Sequence, residues 1–409
     1  MTHPVNTSPA DLILFGATSF VGQILCRYLL ERHGCAGDLR WALAGRSRSK
    51  LEALRTQLGA AAATLELHVV DATDEVGLRA LCHQTRVVVS TVGPYALYGE
   101  PLVKVCAETG TDYCDLTGEV QWIARMIARY QMTAQASGAR IIHGCGFDSI
   151  PSDLGVWFLQ REAQARFGQV CTRVKMRVKA ARGGFSGGTV ASLLNVVKEA
   201  EAQPALRAQL ANPYLLCPSS ARGVPQPHEA EICFDSDFDS WTAPFVMSAI
   251  NTRIVHRSNA LLGYPYGQDF IYDEAVLTGA GWRGQLTAHA IALGLGVFMW
   301  APLRGWLERY VLPKPGQGPS LQQQERGFFD LRLLGCTSQG QHLKVMVRGD
   351  RDPGYGSTAK MLAEAALCLA FTVSQGDCGG GFWTPAAALG TPLLQRLQTN
   401  AGLQFEQIA

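Results

Sequence analysis

The chain has 409 residues, of which 47% are hydrophobic and 17% charged, and its formal net charge is +2. This composition is typical of a folded globular protein. The length exceeds the roughly 250–300 residues that one hydrophobic core usually supports, so we expect two domains or one domain with a large insertion. The nearly neutral charge and the scattered arginines provide no basic field, and no nucleic-acid partner is predicted.

Twelve cysteines occur, but none forms a Cys-x-x-Cys pair, so the sequence predicts neither a zinc site nor a thioredoxin-like motif. No metal site is predicted. The first ten residues are polar and lack the apolar run of a signal peptide. We therefore expect reduced thiols and a cytoplasmic protein.

Residues 11–15 form an apolar run that predicts a buried parallel strand, and a predicted helix covers residues 23–33. Between them lies the turn GATSFVG. A strand, a glycine turn and a helix form the context of a dinucleotide-binding fingerprint, in which the helix N-terminus holds the pyrophosphate. The middle glycine of the usual GxGxxG motif is replaced by Thr18 and Ser19. The predicted cofactor contacts in this turn are Gly16, Ala17, Thr18, Ser19, Phe20, Val21 and Gly22.

A second predicted strand, residues 39–45, is followed by Arg46 and, one helical turn later, by Lys50. NAD enzymes place an acidic residue at this strand end, where it binds the ribose 2′-hydroxyl. A cation at the same position suits the 2′-phosphate of NADP. Basic residues also oppose the dipole at a helix N-terminus, so their presence needs a functional reason. We predict NADP(H) as the cofactor.

The third and fourth predicted strands, residues 65–70 and 86–91, end in further candidate cofactor contacts. Asp71 and Ala72 follow the third strand and are expected near the adenine. The residues around the end of the fourth strand are expected near the nicotinamide ribose, because ligands of open α/β sheets bind at the carboxyl ends of the strands. These residues are Thr91, Val92, Gly93, Pro94 and Tyr95.

Four segments together resemble a known family: GATSFVG, AGRSRSKL, STVGPYALYGEPLVKVCAETGTDYCDLTGE and HGCGFDSIPSDLG. The chain is similar to the saccharopine dehydrogenase-like oxidoreductase superfamily, and within it to the trans-acting enoyl reductase branch. The segments GDRDPGYGSTAKMLAEAALCLA and GGGFWTPAAALG also look like family motifs. The resemblance implies NADP and an α/β fold. In that fold a Rossmann-type doubly wound parallel sheet is joined by a second α/β domain, with a mixed or antiparallel sheet, inserted before the C-terminal helices.

We accordingly expect three regions: an NADP-binding domain over residues 1–150, a substrate or dimerisation domain over 151–352, and helices over 353–409 that return to the first domain. In the second region, residues 170–181 alternate between apolar and basic side chains, which predicts a half-exposed antiparallel strand. Its basic face either meets acidic groups or is solvated. Residues 328–334 and 342–348 are predicted to form a hairpin.

Residues 286–300 form the longest apolar run, and an amphipathic stretch continues it to residue 313. The run is shorter than the roughly 20 residues that cross a bilayer as a helix. A buried core helix, a dimer contact, an interfacial membrane helix, a lipid-entry flap and a transmembrane span all remain open. The implied partners are a small-molecule or lipid-like substrate, a membrane or lipid-droplet surface contacted peripherally through residues 286–313, and a second copy in a homodimer.

A nicotinamide reductase needs a proton donor in addition to the hydride. Tyr95, Tyr98 and Asp148 are the candidates near the predicted nicotinamide position, and Phe147, Ser149 and Ser186 are candidate substrate contacts. The resemblance implies an NADPH-dependent oxidoreductase that reduces a C=C (enoyl) or C=N bond of a hydrophobic substrate, derived from a lipid or a polyketide. Two alternatives stay open: a catalytically silent, NADP-binding scaffold on lipid surfaces, and a saccharopine-type reductase of amino-acid imines.

Overall fold

A computed structural model of the chain describes residues 10–35, 37–183, 187–218, 223–228, 231–299 and 318–409. The chain divides into two compact units. The first unit runs up to Phe147 and resumes over Tyr355–Ala401, and the second comprises Asp148–Gly354 and Gly402–Ala409. The chain leaves the first unit after Phe147 and returns to it at Tyr355. Both positions lie within three residues of the predicted boundaries at 150 and 352.

The first unit is built on a parallel sheet of seven short strands. They are β1 (Ala10–Phe15), β2 (Trp41–Gly45), β3 (Leu67–Val69), β4 (Thr85–Ser90), β5 (Asp112–Asp115), β6 (Arg140–Ile142) and β13 (Gly381–Trp383). Their order is β13-β6-β5-β4-β1-β2-β3. All of β1 and β2 is buried, as expected for strands covered by helices on both faces. The strand order reverses between β1 and β4, which creates the crevice where such sheets bind ligands.

Helices cover both faces of this sheet. They are α1 (Phe20–His33), α2 (Arg48–Gln57), α3 (Glu75–Cys82), α4 (Tyr95–Tyr98), α5 (Glu100–Thr109), α6 (Val120–Ser137), α13 (Thr358–Phe371) and α14 (Pro385–Asn400), with a 3₁₀ turn at Ala60–Ala62 and a π-helical turn at Pro353–Ser357. The doubly wound fold predicted for this part of the chain is confirmed.

The second unit contains a mixed sheet. Its strands are β7 (Cys171–Arg182), β8 (Phe234–Asp235), β9 (Ser240–Pro244), β10 (Ile271–Gly279), β11 (Phe328–Thr337), β12 (His342–Gly349) and β14 (Leu403–Ile408), in the order β14-β12-β11-β7-β10-β9-β8. The described helices of this unit are α7 (Ile150–Phe167), α8 (Gly187–Ala202), α9 (Pro204–Ala211), α10 (Ser248–Leu261), α11 (Gly281–Met299) and α12 (Leu321–Glu325). The predicted hairpin corresponds to the antiparallel pair β11 and β12.

Strand β7 differs from its prediction. It pairs antiparallel with β11 but parallel with β10, so it lies in the middle of the sheet. Its basic face meets acidic groups: Lys175 lies 3.1 Å from Asp235, and Arg177 lies 2.8 Å from Asp235 and 2.6 Å from Asp273. Because Arg177 is buried, the solvated alternative is wrong for this residue.

The last strand also corrects the sequence-based expectation. Residues 353–409 were expected to return to the first unit as helices, and α13 and α14 do so. However, β14 pairs antiparallel with β12 in the sheet of the second unit. The signal for this strand was present, because the buried Leu403 and Phe405 alternate with the exposed Gln404 and Glu406.

Helix α11 contains the long apolar run except for its last residue, position 300. Among residues 281–297, only Gly284 and Ala288 are buried, whereas Leu286 and Leu293 are 63% and 70% exposed. The buried-core alternative is therefore wrong for this part, and residues 300–313 lie outside the described residues. Across the described part of the chain, no helix combines the length and the apolar character that a bilayer span requires.

Candidate functional site

The glycine turn between β1 and α1 is closely packed against the end of β4. Gly16 has φ +89°, and a Cβ there would lie 2.7 Å from Val92 Cγ2. A Cβ on Gly22 would lie 2.4 Å from the carbonyl oxygen of Gly16. Both positions therefore require glycine, one for backbone conformation and one for the close approach of α1 to the strand. Ala17 is buried between them.

Two hydroxyl groups fix this turn. Ser19 caps α1, because its Oγ accepts a hydrogen bond from the Gly22 N–H at 2.9 Å. Ser19 Oγ also lies 2.9 Å from Thr91 Oγ1, which in turn donates to the Gly16 carbonyl at 2.9 Å. The ends of β1 and β4 are thus joined at the crevice. The first turn of α1 contains no acidic residue, so its N-terminus suits an anion such as a pyrophosphate.

Thr18, Phe20 and Val21 are half-exposed in the same turn. The Phe20 ring meets the buried Tyr355 edge to face, with 4.7 Å between the ring centroids. The sequence reasoning did not single out Tyr355, although the motif GYGST that contains it was available as a signal. Tyr355 supports the start of α1 from the segment by which the chain returns to the first unit.

The candidate 2′-phosphate contacts lie at the end of β2. Arg46 and Lys50 are both exposed, and neither makes an ion pair with any residue that the structure describes. Their neighbour Arg48, by contrast, lies 3.7 Å from Glu52. Ser47 caps α2 by accepting from the Lys50 N–H at 3.4 Å. Two cations that form no ion pair with the described residues, near a helix N-terminus that suits an anion, fit a dinucleotide with an additional phosphate.

Asp71 is engaged in a turn after β3. One of its carboxylate oxygens accepts hydrogen bonds from the N–H of Thr73 at 3.0 Å and from its hydroxyl at 2.8 Å. These bonds, followed by the nearby charge of Arg46, hold the pKa of Asp71 below its usual value. The adjacent Ala72 is half-exposed. These hydrogen bonds show that Asp71 stabilises the turn after β3. Its contact with an adenine stays a prediction.

The segment after β4 places the two candidate tyrosines differently. Gly93 and Pro94 are joined by a cis peptide bond and lead into α4. Tyr95 is buried and its hydroxyl donates to the Ser90 carbonyl at 3.0 Å. Burial, and then the charge of Asp115, raises its pKa well above the usual value. This geometry argues against Tyr95 as a proton donor, whereas Tyr98 is 43% exposed.

A buried hydrogen-bond network centred on Asp115 holds the loops after β5 and β6. The Asp115 carboxylate accepts hydrogen bonds from the Tyr113 hydroxyl at 2.8 Å and from the Thr117 N–H at 3.0 Å, and one of its oxygens lies 2.7 Å from His143 Nδ1. Glu119 caps α4 through the N–H groups of Tyr95 at 2.8 Å and Ala96 at 2.9 Å. The sequence analysis did not single out His143, whose only signal was its position directly after β6.

The remaining candidates follow β6 along the chain. The Phe147 N–H donates to Thr358 Oγ1 at 3.0 Å, within the first unit. Asp148 and Ser149 come next and begin the second unit. Asp148 is half-buried, and burial raises the pKa of its carboxyl to about 7. Ser149 is fully buried at the start of α7. Ser186, the third predicted substrate contact, lies outside the described residues.

Comparison with known proteins identifies the family. Residues 12–142 match the family model of the saccharopine dehydrogenase NADP-binding domain. A Mycobacterium tuberculosis protein whose name assigns it provisionally to the trans-acting enoyl reductases is 40% identical over 98% of both chains. The trans-acting enoyl reductases of Mycobacterium bovis and Mycobacterium leprae are each 37% identical, over 95% of both chains.

The fold has a counterpart among solved structures. Saccharopine dehydrogenase (L-Glu forming) from Saccharomyces cerevisiae aligns with a TM-score of 0.55 at 12% identity, covering 98% of this chain and all of that one. Together with the glycine turn at Gly16 and Gly22 and the cations after β2, these findings establish NADP(H) as the cofactor. They also establish the protein as an NADP-dependent oxidoreductase. The chain belongs to the trans-acting enoyl reductase family of saccharopine dehydrogenase-like oxidoreductases.

Proposed function

We propose that this protein reduces the carbon–carbon double bond of an enoyl group, with NADPH as the reductant, in a hydrophobic substrate derived from a lipid or polyketide. The observation that carries the choice of NADPH is the pair of exposed cations after β2, Arg46 and Lys50, which form no ion pair with any described residue. The enoyl group is supported by the shared name of the relatives. When bound, NADPH supplies a hydride.

The residues of the first unit hold the cofactor. The N-terminus of α1, capped by Ser19, would bind the pyrophosphate, and Arg46 and Lys50 would bind the 2′-phosphate. The segment after β4, from Thr91 to Pro94, would line the nicotinamide ribose. The ends of these strands and helices lie at one edge of the sheet because the strands are parallel.

A proton must also reach the reduced carbon, and we assign it to Asp148 in preference to Tyr98. A carboxyl with a pKa of about 7 is protonated in part at neutral pH and can donate at low energetic cost. Asp148 directly follows Phe147, whose N–H donates to Thr358 Oγ1 at 3.0 Å. Phe147 and Ser149 flank it as substrate contacts.

Incubation of the purified protein with NADPH and a panel of substrates tests this proposal. Loss of the reduced-nicotinamide absorbance with long-chain enoyl thioesters is the expected result. Turnover of cyclic or amino-acid imines alone would instead support a saccharopine-type reductase. Tight NADPH binding without oxidation by any member of the panel would favour the silent scaffold. NADH in place of NADPH is the matched cofactor control.

We further propose that α11 attaches the protein reversibly to a lipid surface. Trp282, Leu286 and Leu293 are 63–70% exposed. At about 100° per residue they fall within about 40° of one another, on the side opposite to the buried Gly284 and Ala288. In the described part of the helix, Arg283 is the one charged residue among Asp, Glu, Lys and Arg, and its guanidinium lies 5.4 Å from the Trp282 ring. An exposed apolar stripe with an interfacial tryptophan and no acid suits an anionic lipid surface.

Flotation with vesicles of phosphatidylcholine and phosphatidylglycerol tests the attachment. The wild-type protein should float, and the double variant Leu286→Ser/Leu293→Ser should stay in the soluble fraction with unchanged NADPH affinity. The double variant Val76→Ser/Met132→Ser removes two other exposed apolar side chains, 82% and 76% exposed, and should still float. A wild-type protein that stays soluble but sediments as a dimer, which the α11 variant makes monomeric, would assign the stripe to a homodimer contact instead.

A further inference from the structure

A short segment of the first unit, residues 92–94, is held at both of its ends. Its three residues are half-exposed or exposed, so a ligand can reach them. At the upstream end, Thr91 Oγ1 lies 2.9 Å from Ser19 Oγ and donates to the Gly16 carbonyl at 2.9 Å. The segment therefore begins beside the glycine turn that suits a pyrophosphate.

The downstream end of the segment is held by the carboxylate of Glu119. Helix α4 begins at Tyr95, and its cap residue Pro94 makes no side-chain hydrogen bond. Glu119 supplies the cap instead, because its two oxygens accept hydrogen bonds from the N–H groups of Tyr95 at 2.8 Å and Ala96 at 2.9 Å. A helix of four residues is not stable by itself, so the position of α4 depends on such contacts.

Glu119 is in turn fixed by buried groups that follow β5. Its N–H donates to Thr117 Oγ1 at 3.1 Å, and the Thr117 N–H donates to Asp115 Oδ1 at 3.0 Å. These three residues are at most 1% exposed, and hydrogen bonds at such buried sites are costly to lose. Because β4 and β5 are neighbours in the sheet, Glu119 ties the segment after β4 to the segment after β5.

The order of the strands determines which half of the dinucleotide residues 92–94 meet. Strands β4, β1 and β2 are neighbours in that order. The pyrophosphate belongs at the end of β1, and the 2′-phosphate of the adenine half belongs after β2, beside Arg46. The nicotinamide half must therefore extend to the other side of β1, where residues 92–94 follow β4.

We propose that Glu119 is a positioning residue for the nicotinamide half of the cofactor. Its carboxylate fixes the start of α4 and thereby sets the position of the backbone that meets the nicotinamide ribose. In this role Glu119 touches neither the cofactor nor the substrate and acts through residues 92–96. The inference rests on the cofactor placement in the proposed function and deepens it, because it makes a buried acid after β5 responsible for cofactor geometry after β4.

Two nearly isosteric substitutions test this role. Glu119→Gln keeps the shape of the side chain, but its amide NH₂ group faces a backbone N–H, so one of the two capping bonds is lost. Thr117→Val removes the hydroxyl that accepts from the Glu119 N–H and is the milder change. Both variants leave the adenine end of the site untouched.

Titration with two ligands separates the two ends of the cofactor site. One ligand is NADPH, and the other is 2′,5′-ADP, which carries the adenine, its ribose and the 2′-phosphate but no nicotinamide. Glu119→Gln should weaken NADPH binding about tenfold and Thr117→Val about threefold. The affinity for 2′,5′-ADP should stay as in the wild type, because the pyrophosphate turn and the cations after β2 are unchanged.

The fluorescence of bound NADPH reports on the same end of the cofactor. The emission comes from the reduced nicotinamide ring, and its lifetime lengthens when the ring is held rigidly. At saturating protein, NADPH bound to Glu119→Gln should therefore emit with a shorter lifetime than NADPH bound to the wild type. A loss of stability elsewhere in the fold does not shorten this lifetime.

Asp112→Asn is the matched control. Asp112 is another buried carboxylate of β5 and accepts a hydrogen bond from Arg140 Nε at 3.1 Å. It lies at the opposite end of this four-residue strand from Asp115, about 10 Å away from the crevice edge. The variant should lower the melting temperature and keep the wild-type ratio of the two affinities and the wild-type lifetime.

Equal losses for NADPH and 2′,5′-ADP in Glu119→Gln, or no loss for either, would overturn the proposal. The same selective loss in Asp112→Asn would also overturn it, because the effect would then follow from any buried acid of β5. If Glu119→Gln does not fold, Thr117→Val decides by the same ratio and lifetime. None of these measurements needs turnover, so a protein that reduces no enoyl substrate would refute the proposed function and leave this inference standing.

Discussion

The Glu364 carboxylate accepts a hydrogen bond from the Tyr28 hydroxyl at 2.7 Å, although 336 positions of sequence separate the two residues. The same carboxylate, which is fully buried, lies 2.9 Å from Arg396 Nε and accepts from Asn400 Nδ2 at 3.1 Å. Glu364 therefore joins α13 and α14 to α1, the helix whose N-terminus we propose to bind the cofactor pyrophosphate. The C-terminal helices are part of the dinucleotide-binding unit and not an appendage to it.

Replacing Glu364 by Ala should lower the free energy of unfolding by about 3 kcal/mol, because it leaves the Arg396 guanidinium and the Tyr28 hydroxyl without their shared partner. Denaturation with guanidinium chloride measures this change. Tyr28→Phe removes a single hydrogen bond and should cost about 1 kcal/mol. A loss below 1 kcal/mol in the Ala variant would mean that the buried carboxylate does not anchor these helices.

Replacing Arg46 by Ala should weaken NADPH binding by about 1.5–3 kcal/mol, roughly 10- to 150-fold, and leave NADH binding almost unchanged. The reason is that only NADPH carries the 2′-phosphate. Fluorescence titration with both cofactors measures the difference. Arg48→Ala is the matched control, because Arg48 already pairs with Glu52. Equal losses for the two cofactors would contradict the assignment of Arg46.

Asp148 should control the alkaline side of the pH–rate profile. Burial raises the pKa of its carboxyl from 3.8 to about 7, and the protonated form is the proton donor. The rate should therefore fall as pH rises through about 7, and Asp148→Asn should lower kcat and remove this limb. Asp377→Asn, a change at an exposed carboxyl, should leave the profile as in the wild type. An unchanged alkaline limb in Asp148→Asn would refute the assignment.

The raised pKa of Asp148 also makes the free energy of unfolding depend on pH. Between pH 4 and 7 the folded protein binds a proton at this carboxyl that the unfolded chain has released. The contribution of Asp148 to the free energy of unfolding should therefore fall as pH rises across this window. Melting temperatures of the wild type and Asp148→Asn should converge at pH 4 and differ most above pH 7, with the variant the more stable protein.

His256 should make the second unit sensitive to acid. Its ring lies between those of Tyr214 and Phe270, at centroid distances of 4.9 Å and 6.0 Å, and it is 4% exposed. Burial, and then the charge of Arg253, lowers its pKa from 6.5 to about 4. Below pH 6.5 the unfolded chain takes up a proton that the folded chain does not. The free energy of unfolding should therefore fall by about 3 kcal/mol as pH falls from 6.5 to 4.

Stability measured against pH in His256→Gln checks this prediction. The variant should lose most of the slope between pH 4 and 6.5. His289→Gln, at an exposed histidine of α11, should keep it. A slope that persists unchanged in His256→Gln would show that other groups cause the acid sensitivity.

The sequence by itself determined the parts of this protein that depend on local pattern. A run of consecutive apolar residues before Gly16, a turn that only glycines allow, and a helix period after it suffice to predict β1, α1 and the pyrophosphate position. The cations after β2 likewise predict NADP, because in this fold the end of the second strand lies beside the adenosine ribose. The hairpin of β11 and β12 and the helix α13 follow from periodicity in the same way.

Tertiary structure decided everything that depends on partners distant in the sequence. Tyr95 and Tyr98 are three residues apart and equivalent as phenols, yet packing buries the first against Ser90 and leaves the second exposed. Alternation showed that residues 170–181 form a strand, but only the sheet order made it central and placed Asp235 and Asp273 beside Arg177. The apolar sequence of α11 does not reveal whether the helix is buried or exposed. Likewise, only the structure shows that Ser149 Oγ has no hydrogen-bond partner among the described residues. Burial and hydrogen-bond partners are properties of the packed chain, and periodicity does not encode them.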